Sequence, residues 1–483
     1  SLDYAGFRTL ISDTARMLKH ELKVGRGDRV AHLGYNGIEF LALVFATARL
    51  GAMFTPLNWR LAPAEHDFIL TDCSASVLVT EADFRDHADT FRANHPDCRF
   101  VGIGHDGDGW LGYEDRLAAA REKRATKDDA NPHVDLSAPH LVVYTSGTTG
   151  RPKGAVLTQN ALFWNALNAT HMHDLTSRDR VLTVLPMFHV GGLNIQTLPA
   201  FHAGATVILH RRFDPGATLS AIEQEKPSLL VLVPATIAAV QNHPDWKTTD
   251  LTSLRALTTG SSAVPASLID PFHARGIPVL QVYGSTETAP VAVYLRAGEA
   301  LAKMDTTGRP ALHCELRIVD GAGRDVPPGE AGEVLIKGPN VMYEYWGNEA
   351  ATREALRDGW FHSGDIGHLD DDGCLVIDDR KKDVIISGGE NIYPAELENI
   401  LHGLEGVAEA AVVGRQDPRW GESPVAVVVR HPDAGDGLDE AAVLGAFEGR
   451  LARYKHPREV VFMEALPRNV MGKVQKFRLR EMI

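Results

Sequence analysis

The segment Leu141-Val-Val-Tyr-Thr-Ser-Gly-Thr-Thr-Gly-Arg-Pro-Lys-Gly154 joins an apolar run to a polar loop rich in hydroxyl side chains and glycine. The apolar run predicts a buried strand, and the loop would follow its carboxyl end, where open α/β sheets bind ligands. Glycines let backbone N–H groups close around an anion, hydroxyl groups add donors, and a lysine adds a mobile positive charge. The segment therefore predicts a phosphate-binding loop formed by Thr145, Ser146, Gly147, Thr148, Thr149 and Lys153.

This loop differs from a Walker A sequence, in which the lysine follows glycine and precedes serine or threonine. Here Lys153 lies between Pro152 and Gly154, which argues against an ordinary P-loop ATPase. Turn preferences alone can also produce a stretch of Gly, Ser and Thr, so a plain surface loop is the alternative. Motifs elsewhere in the chain distinguish the two interpretations.

Apolar runs rich in Val, Leu and Ile recur between helix-like stretches in the middle of the chain. This alternation predicts buried, mainly parallel strands joined by crossover helices, with ligand-binding loops at the strand ends. The runs cover residues 179–186, 206–210, 229–234, 254–260 and 279–284. The predicted fold class is therefore α/β.

The chain has 483 residues, more than one hydrophobic core usually supports, so at least two folding units are expected. Segments at 315–320 and 333–337 alternate with turns and predict a small β-rich subdomain. The charged run Asp379-Arg-Lys-Lys-Asp383 precedes a terminal block with candidate strands at 409–414, 425–430 and 459–463. We interpret residues 380–382 as a hinge between a large N-terminal domain, 1–379, and a smaller α+β C-terminal domain, 383–483; a charged turn within a hairpin is the alternative.

The composition excludes several classes of protein. A formal net charge of −14 argues against nucleic acid as the main partner, because binders of phosphate backbones normally present a basic face. No apolar run approaches the length of a membrane span. The cysteines are far apart and have no metal-ligand spacing, which fits a reducing cytoplasm. We expect a cytoplasmic protein without a transmembrane segment; the sequence leaves its oligomeric state open.

A second motif, Gln281-Val-Tyr-Gly-Ser-Thr-Glu287, ends an apolar run and suits a nucleotide with a metal ion. Tyr283 offers a flat face for adenine, Thr286 a hydroxyl for the α-phosphate, and Glu287 a hard oxygen ligand for Mg²⁺. By itself the string could be a strand leading into a Thr-capped helix. In a third motif, Trp360-Phe-His-Ser-Gly-Asp365, Asp365 could bind both ribose hydroxyls or form an Asx-turn.

Together these motifs resemble those of the acyl-adenylate-forming superfamily, which includes acyl-CoA synthetases, peptide-synthetase activating domains and beetle luciferases. The resemblance continues through Arg380-Lys-Lys-Asp-Val-Ile-Ile-Ser-Gly-Gly-Glu-Asn-Ile-Tyr-Pro394 and Pro467-Arg-Asn-Val-Met-Gly-Lys473. It implies an AMP-forming acyl-CoA synthetase that uses Mg²⁺, ATP and CoA. The carboxylic acid would be adenylated first, and CoA would then displace AMP.

The resemblance also implies roles for individual residues. Lys473 would be the catalytic lysine, bridging the reacting carboxylate and the α-phosphate, with Glu287 and Thr145 as the other catalytic positions. Lys382 would be the pivot of the C-terminal domain. The further positions are Gln281, Gly284, Ser261, Ser262 and Arg380 for the nucleotide, His189, Gly191 and Gly192 for the acyl pocket, and Gly388 and Gly389 for CoA.

The acyl substrate is less determined. Motifs such as Pro186-Met-Phe-His-Val-Gly-Gly192 look most like those of bacterial fatty-acyl-CoA synthetases, and Ser387-Gly388-Gly389 replaces the lysine-rich loop of plant-type aryl ligases. Both features favour a medium- or long-chain fatty acid. An aryl acid of the hydroxycinnamate or benzoate type is the alternative, followed by a luciferase-like oxygenase and a peptide-synthetase loading domain.

Overall fold

The computed structural model describes residues 1–123, 130–145, 152–260, 264–380, 383–387, 390–417, 420–432, 438–448, 450–451, 453–468 and 474–483. In these ranges the strands form four sheets, two large and two small. The two large sheets carry most of the strands predicted as parallel, so the α/β class is confirmed.

The first third of the chain alternates strands and helices. Its elements are α1 (Tyr4–Arg16), β1 (Arg29–Leu33), α2 (Ile38–Leu50), β2 (Met53–Pro56), α3 (Pro63–Cys73), β3 (Val77–Glu81), α4 (Arg85–Arg92), β4 (Arg99–Ile103), β5 (Leu111–Gly112), α5 (Tyr113–Glu122), β6 (Pro139–Thr145), β7 (Lys153–Thr158) and α6 (Gln159–His173). Thr158 caps α6 by accepting a hydrogen bond from the Ala161 N–H, which satisfies one of the amides left free at a helix start.

The middle of the chain continues the alternation. Its elements are β8 (Arg180–Thr183), α7 (Val190–Asn194), α8 (Thr197–Ala203), β9 (Thr206–Leu209), α9 (Pro215–Glu225), β10 (Leu229–Val231), α10 (Pro234–Gln241), β11 (Ala256–Gly260), α11 (Ala266–His273), β12 (Val279–Tyr283), β13 (Val293–Tyr294), α12 (Ala297–Ala300) and β14 (Arg309–Pro310). Each predicted run contains a strand, but the strands are shorter than the runs. Pro234, for example, closes one run and begins α10, since proline suits the first turn of a helix.

The last third is richer in antiparallel strands. Its elements are β15 (Glu315–Val319), β16 (Gly332–Lys337), β17 (Glu344–Tyr345), α13 (Glu349–Ala355), β18 (Leu356–Arg357), β19 (Trp360–Leu369), β20 (Leu375–Arg380), β21 (Ile385–Ser387), β22 (Glu390–Ile392), α14 (Pro394–His402), β23 (Val407–Asp417), β24 (Gly421–Arg430), α15 (Glu440–Gly445), β25 (Glu459–Met463) and α16 (Lys476–Met482). Strand β23 exceeds the predicted 409–414 because the apolar pattern marks only its buried part. Arg415, beyond that part, forms an ion pair with Glu459 of β25.

The sheet orders explain where loops meet. The first sheet runs β17-β7-β6-β2-β1-β3-β4-β5, and the second runs β14-β13-β12-β11-β10-β8-β9. In the first, β1 to β6 are parallel, whereas β7 returns antiparallel to β6 and β17 adds the edge. The two smaller sheets hold β15, β16 and β18–β20, and β21–β25. Loops after β6, β11 and β12 therefore lie at carboxyl ends of parallel strands.

The boundary between the predicted domains lies at the end of a strand. Arg380 is the last residue of β20, and its backbone pairs with Asp365 in β19. Residues 381–382 lie outside the described residues, so the hinge at 380–382 and the boundaries at 379 and 383 stay predictions. Within the described ranges, no helix combines the length and apolar character that a bilayer span requires.

Candidate active site

The two ends of the predicted phosphate loop are held by a β-ladder. Thr145 of β6 and Lys153 of β7 are register partners, and the Thr145 hydroxyl donates to the Lys153 carbonyl oxygen at 3.4 Å. The pairing fixes the loop's ends at the carboxyl end of β6. Four other predicted members of the loop lie outside the described residues: Ser146, Gly147, Thr148 and Thr149.

Tyr345 connects Lys153 to Glu287. Its hydroxyl donates to Glu287 Oε1 at 2.7 Å, and Lys153 Nζ lies 5.3 Å from the centroid of its ring, within the range of a cation–π interaction. Strand pairing produces this contact, because Tyr345 lies opposite Ala155 in the β17–β7 ladder. The predicted metal ligand and the predicted phosphate-binding lysine thus share one aromatic support.

Glu287 is also held through its backbone. The Met342 N–H donates to the Glu287 carbonyl oxygen at 2.7 Å, so the segment leading into β17 is fastened to the second motif. A single half-buried carboxylate beside a lysine fits Mg²⁺ delivered with a nucleotide, because this ion takes one or two carboxylates and completes its shell with phosphate oxygens and water. Among the residues that the structure describes, no group of three or more His, Cys, Asp or Glu forms a ready-made metal cage.

The second and third motifs meet in one hydrogen bond. The Tyr283 hydroxyl donates to Asp365 Oδ2 at 2.7 Å, and the Asp365 N–H donates to Ser363 Oγ at 3.0 Å. Asp365 is 6% exposed, and the backbone of Arg380 pairs beside it. The predicted adenine-stacking ring and the predicted ribose clamp therefore adjoin, as binding one nucleoside would require.

Gly284, which follows Tyr283, has a backbone conformation that other residues rarely adopt. Its φ is +159°, and a Cβ at this position would lie 1.8 Å from the Pro290 carbonyl oxygen. The glycine lets the chain turn from β12 into a short 3₁₀ helix over Thr286–Thr288, which is supported by a hydrogen bond from the Ser285 N–H to Thr288 Oγ1 at 2.9 Å. Because the Pro290 backbone lies so close, only glycine fits at position 284. Thr286 is buried at the start of the short helix.

Three further predicted nucleotide-binding residues have different outcomes. The Gln281 side chain donates to the Met304 carbonyl oxygen and is 8% exposed, so it packs under the site. Ser261 and Ser262 follow Gly260 at the carboxyl end of β11 and lie outside the described residues. Gly260 itself is the register partner of Val282 in β12, so the end of β11 lies beside the second motif.

His189 borders a separate, more apolar region. It caps α7, because its Nδ1 accepts from the Gly191 N–H at 3.0 Å. Burial lowers the pKa of His189 to about 4, so the ring is neutral at pH 7 and carries its proton on Nε2. A Cβ on Gly192 would lie 2.3 Å from the Pro186 carbonyl oxygen, which explains why the motif has glycine there. The wall predicted to border the acyl group is thus uncharged.

Several predicted positions are not described. Lys382, Gly388, Gly389 and Lys473 lie outside the described residues, so their roles as pivot, CoA-binding positions and catalytic lysine stay predictions. Tyr345, by contrast, is a site residue that the motifs did not single out. A signal was present, since Tyr345 precedes Trp346 in a conspicuous aromatic segment, but only the β17–β7 pairing places it at Glu287.

Comparison with known proteins agrees with this arrangement. Residues 1–346 match the AMP-binding enzyme family, and residues 396–473 match the AMP-binding enzyme C-terminal domain. An indoleacetate–CoA ligase of Aromatoleum aromaticum is 51% identical over 482 residues, with 100% of this chain and 93% of that protein covered. A feruloyl-CoA synthase of Amycolatopsis sp is 43% identical, with 99% and 94% covered. A long-chain-fatty-acid–CoA ligase of Mycobacterium tuberculosis is 37% identical, with 99% and 93% covered.

Solved structures that resemble this chain are also CoA ligases or synthetases. The anthranilate CoA ligase in complex with anthranoyl-AMP superposes with a TM-score of 0.90 at 28% identity, covering 99% of this chain and 91% of that one. The o-succinylbenzoate coenzyme A synthetase of Bacillus subtilis, in complex with ATP and magnesium ion, gives 0.86 at 30% identity, covering 99% and 94%. The large α/β portion and the smaller C-terminal portion both take part in these matches.

Proposed function

Because the chain belongs to the AMP-binding enzyme family, we propose that it is an AMP-forming CoA ligase that activates an aromatic carboxylic acid. Such enzymes are acid–thiol ligases, and they use ATP, Mg²⁺ and CoA. The observation that carries the proposal is that residues of separate motifs are joined by direct contacts. Tyr283 contacts Asp365, and Tyr345 links Lys153 to Glu287.

In the first half-reaction, the carboxylate of the acid attacks the α-phosphorus of ATP and pyrophosphate leaves. Tyr283 and Asp365 would hold the nucleoside, while Thr145 and Lys153 would bind phosphate oxygens. Bound Mg²⁺ would offset charge on the phosphates, and Glu287 would hold it. Lys473 would bridge the two anions as they approach. The protein's contribution is mainly orientation and charge neutralisation.

In the second half-reaction, the CoA thiol attacks the acyl carbon and AMP leaves with the bonding electron pair. We propose that the C-terminal domain turns about Lys382 between the two steps. That turn would withdraw Lys473 and present Gly388 and Gly389, whose small size lets the thiol arm pass close to the backbone. The boundaries at 379 and 383 belong to this proposal.

For the substrate we propose an aryl acid rather than a fatty acid. The chain shares 51% identity with an indoleacetate–CoA ligase and 43% with a feruloyl-CoA synthase, but 37% with a long-chain fatty-acid ligase. The fatty-acid expectation rested on short motifs around His189 and Ser387. Identity over the whole chain includes the residues around the acyl group and therefore discriminates better.

The test is CoA-dependent AMP release with a panel of acids. The panel would contain indole-3-acetate, phenylacetate, ferulate, coumarate and benzoate beside straight-chain acids from acetate to stearate. We expect the highest kcat/KM with an arylacetic or arylacrylic acid. A clear preference for an aliphatic chain would keep the reaction and overturn the substrate, whereas AMP release that ignores CoA would overturn the ligase itself.

A further inference from the structure

A network of buried polar groups connects α6, β11 of the second sheet and the segment between α7 and α8. His173 at the end of α6 contacts Thr258 of β11, with 2.9 Å between His173 Nε2 and Thr258 Oγ1. The Gln196 side chain, between α7 and α8, donates from Nε2 to the same hydroxyl oxygen at 3.1 Å. All three side chains are at most 2% exposed.

The contacts of His173 determine which group donates in each hydrogen bond of this polar network. Its Nδ1 lies 2.7 Å from the Ala169 carbonyl oxygen, which can only accept, so Nδ1 carries the proton. Burial lowers the pKa of His173 to about 4, so the ring is neutral and Nε2 is an acceptor. Thr258 must therefore give its only proton to His173, and its oxygen can only accept from Gln196.

This direction determines which way the Gln196 amide faces. Its nitrogen must point to Thr258, so Oε1 is the atom left over. Among the described residues, Gln196 Oε1 is buried without a hydrogen-bond partner, and so are both polar atoms of the Asn194 side chain. An unmet buried acceptor is costly, and most native structures avoid it unless a water or ligand completes it.

These unmet groups lie at the end of α7 and just after it, and α7 contains the predicted acyl-pocket residues Gly191 and Gly192. Asn194 ends α7, the helix that His189 caps, and its carbonyl oxygen accepts from Asn165 Nδ2 at 2.8 Å. Asn165 Oδ1 in turn accepts from the Val291 N–H at 2.9 Å, seven residues after the glycine of the second motif. The segment that holds Gln196 is therefore fastened beside the carboxyl ends of β11 and β12.

The surroundings of these polar groups are apolar. Ile195 belongs to the same buried cluster as Val282 and Val291, so a substrate reaching Gln196 would pass mainly hydrocarbon. A mainly apolar wall on which one acceptor, Gln196 Oε1, has a fixed orientation suits a flat, largely apolar group that carries a donor. A straight hydrocarbon chain would leave the acceptor unmet.

We propose that Gln196 Oε1 selects aromatic acids that carry a hydrogen-bond donor on the ring system, such as an indole N–H or a phenolic O–H. This inference rests on the proposed aryl-acid function and deepens it. Asn194, at the end of α7, carries the other side-chain amide of this segment that has no partner among the described residues. His173 and Thr258 act as positioning residues, because they decide that an acceptor and not a donor faces the substrate.

The test compares indole-3-acetate with 1-benzothiophene-3-acetate, which replaces the N–H by sulfur and keeps the bicyclic shape. The wild-type enzyme should prefer the indole acid by roughly 10-fold to 100-fold in kcat/KM, since the sulfur compound leaves the acceptor unmet. In Gln196→Leu the preference should fall to about 3-fold or less, mainly through a higher KM for the indole acid.

Three comparisons keep the test decisive. Gln241→Leu makes the same substitution in α10 and should retain the wild-type preference. Thr258→Val frees the Gln196 amide to turn and should weaken the preference for the indole acid. Equal preference in wild type and Gln196→Leu, with both acids turned over well, would overturn the role of Gln196 alone. Turnover of fatty acids but of neither aryl acid would overturn the proposed substrate class and this inference with it.

Discussion

Removal of the Tyr345 hydroxyl is the sharpest test of the site. In Tyr345→Phe the ring stays, so Lys153 keeps the aromatic face 5.3 Å from its Nζ. The hydrogen bond of 2.7 Å to Glu287 Oε1 is lost. The variant therefore separates the positioning of the carboxylate from the positioning of the lysine.

The expected loss of activity in Tyr345→Phe follows from the type of hydrogen bond that is removed. Hydrogen bonds to charged groups contribute about 1.5–3 kcal/mol, and because Glu287 is half-buried and can be rehydrated, we take the lower end. At about 1.4 kcal/mol per factor of ten, Tyr345→Phe should lower kcat/KM for ATP roughly 10-fold. Tyr345→Leu also removes the cation–π interaction, about 0.5–1 kcal/mol at an exposed site, and should lose roughly a further 2-fold to 5-fold.

The assay is pyrophosphate release at several Mg²⁺ concentrations, beside thioester formation from supplied acyl-adenylate. We expect Tyr345→Phe to need more Mg²⁺ and ATP in the first reaction and to leave the second within about 2-fold of wild type. Binding of Mg·ATP measured by calorimetry should weaken in parallel. Tyr343→Phe is the matched control, because that side chain is 61% exposed and lies two residues away. Unchanged adenylation, or an equal loss in both half-reactions, would refute the positioning role.

Three other predictions test different parts of the molecule. Lys473→Ala should depress adenylation at least about 100-fold and spare thioester formation from acyl-adenylate; equal loss in both reactions would contradict its assignment. Gly284→Ala should destabilise the protein by about 2–3 kcal/mol, seen as a lower thermal midpoint, because its Cβ would meet the Pro290 carbonyl oxygen, whereas Gly298→Ala, with open space around it, should be neutral. Burial lowers the pKa of His32 to about 3 and those of His140 and His173 to about 4. As pH falls, these histidines are protonated in the unfolded chain at a higher pH than in the folded protein. The free energy of unfolding measured in urea should therefore be at its full value above about pH 6.5 and should fall by up to about 1.4 kcal/mol per pH unit per histidine as pH approaches 4. An unfolding free energy that stays constant from pH 7 to pH 5 would count against this prediction.

Apolar patterning was enough to predict the strands of the second sheet from β8 to β12 and β25 of the C-terminal sheet. Strand β25 occupies the predicted residues 459–463, and β8 to β12 lie within the predicted runs. The pattern was sufficient there because a buried strand shows itself locally, as a short apolar run bounded by turn residues. It failed at strand ends, where capping residues and exposed ion pairs decide where pairing stops.

The features of the site also fall into those that the sequence predicted and those that only the structure revealed. The amino-acid sequence by itself determined which loops would carry polar groups, because motif chemistry acts over a few residues, whereas the need for glycine at position 284 became evident only from the nearby Pro290 carbonyl oxygen. Only the tertiary structure decided that Tyr345 meets Glu287, 58 positions away, and that Tyr283 meets Asp365, 82 positions away. It also decided, through His173 and Thr258, which way the Gln196 amide faces. Such pairings depend on sheet order and register, which are set by the packing of the whole domain and leave no trace in a local pattern.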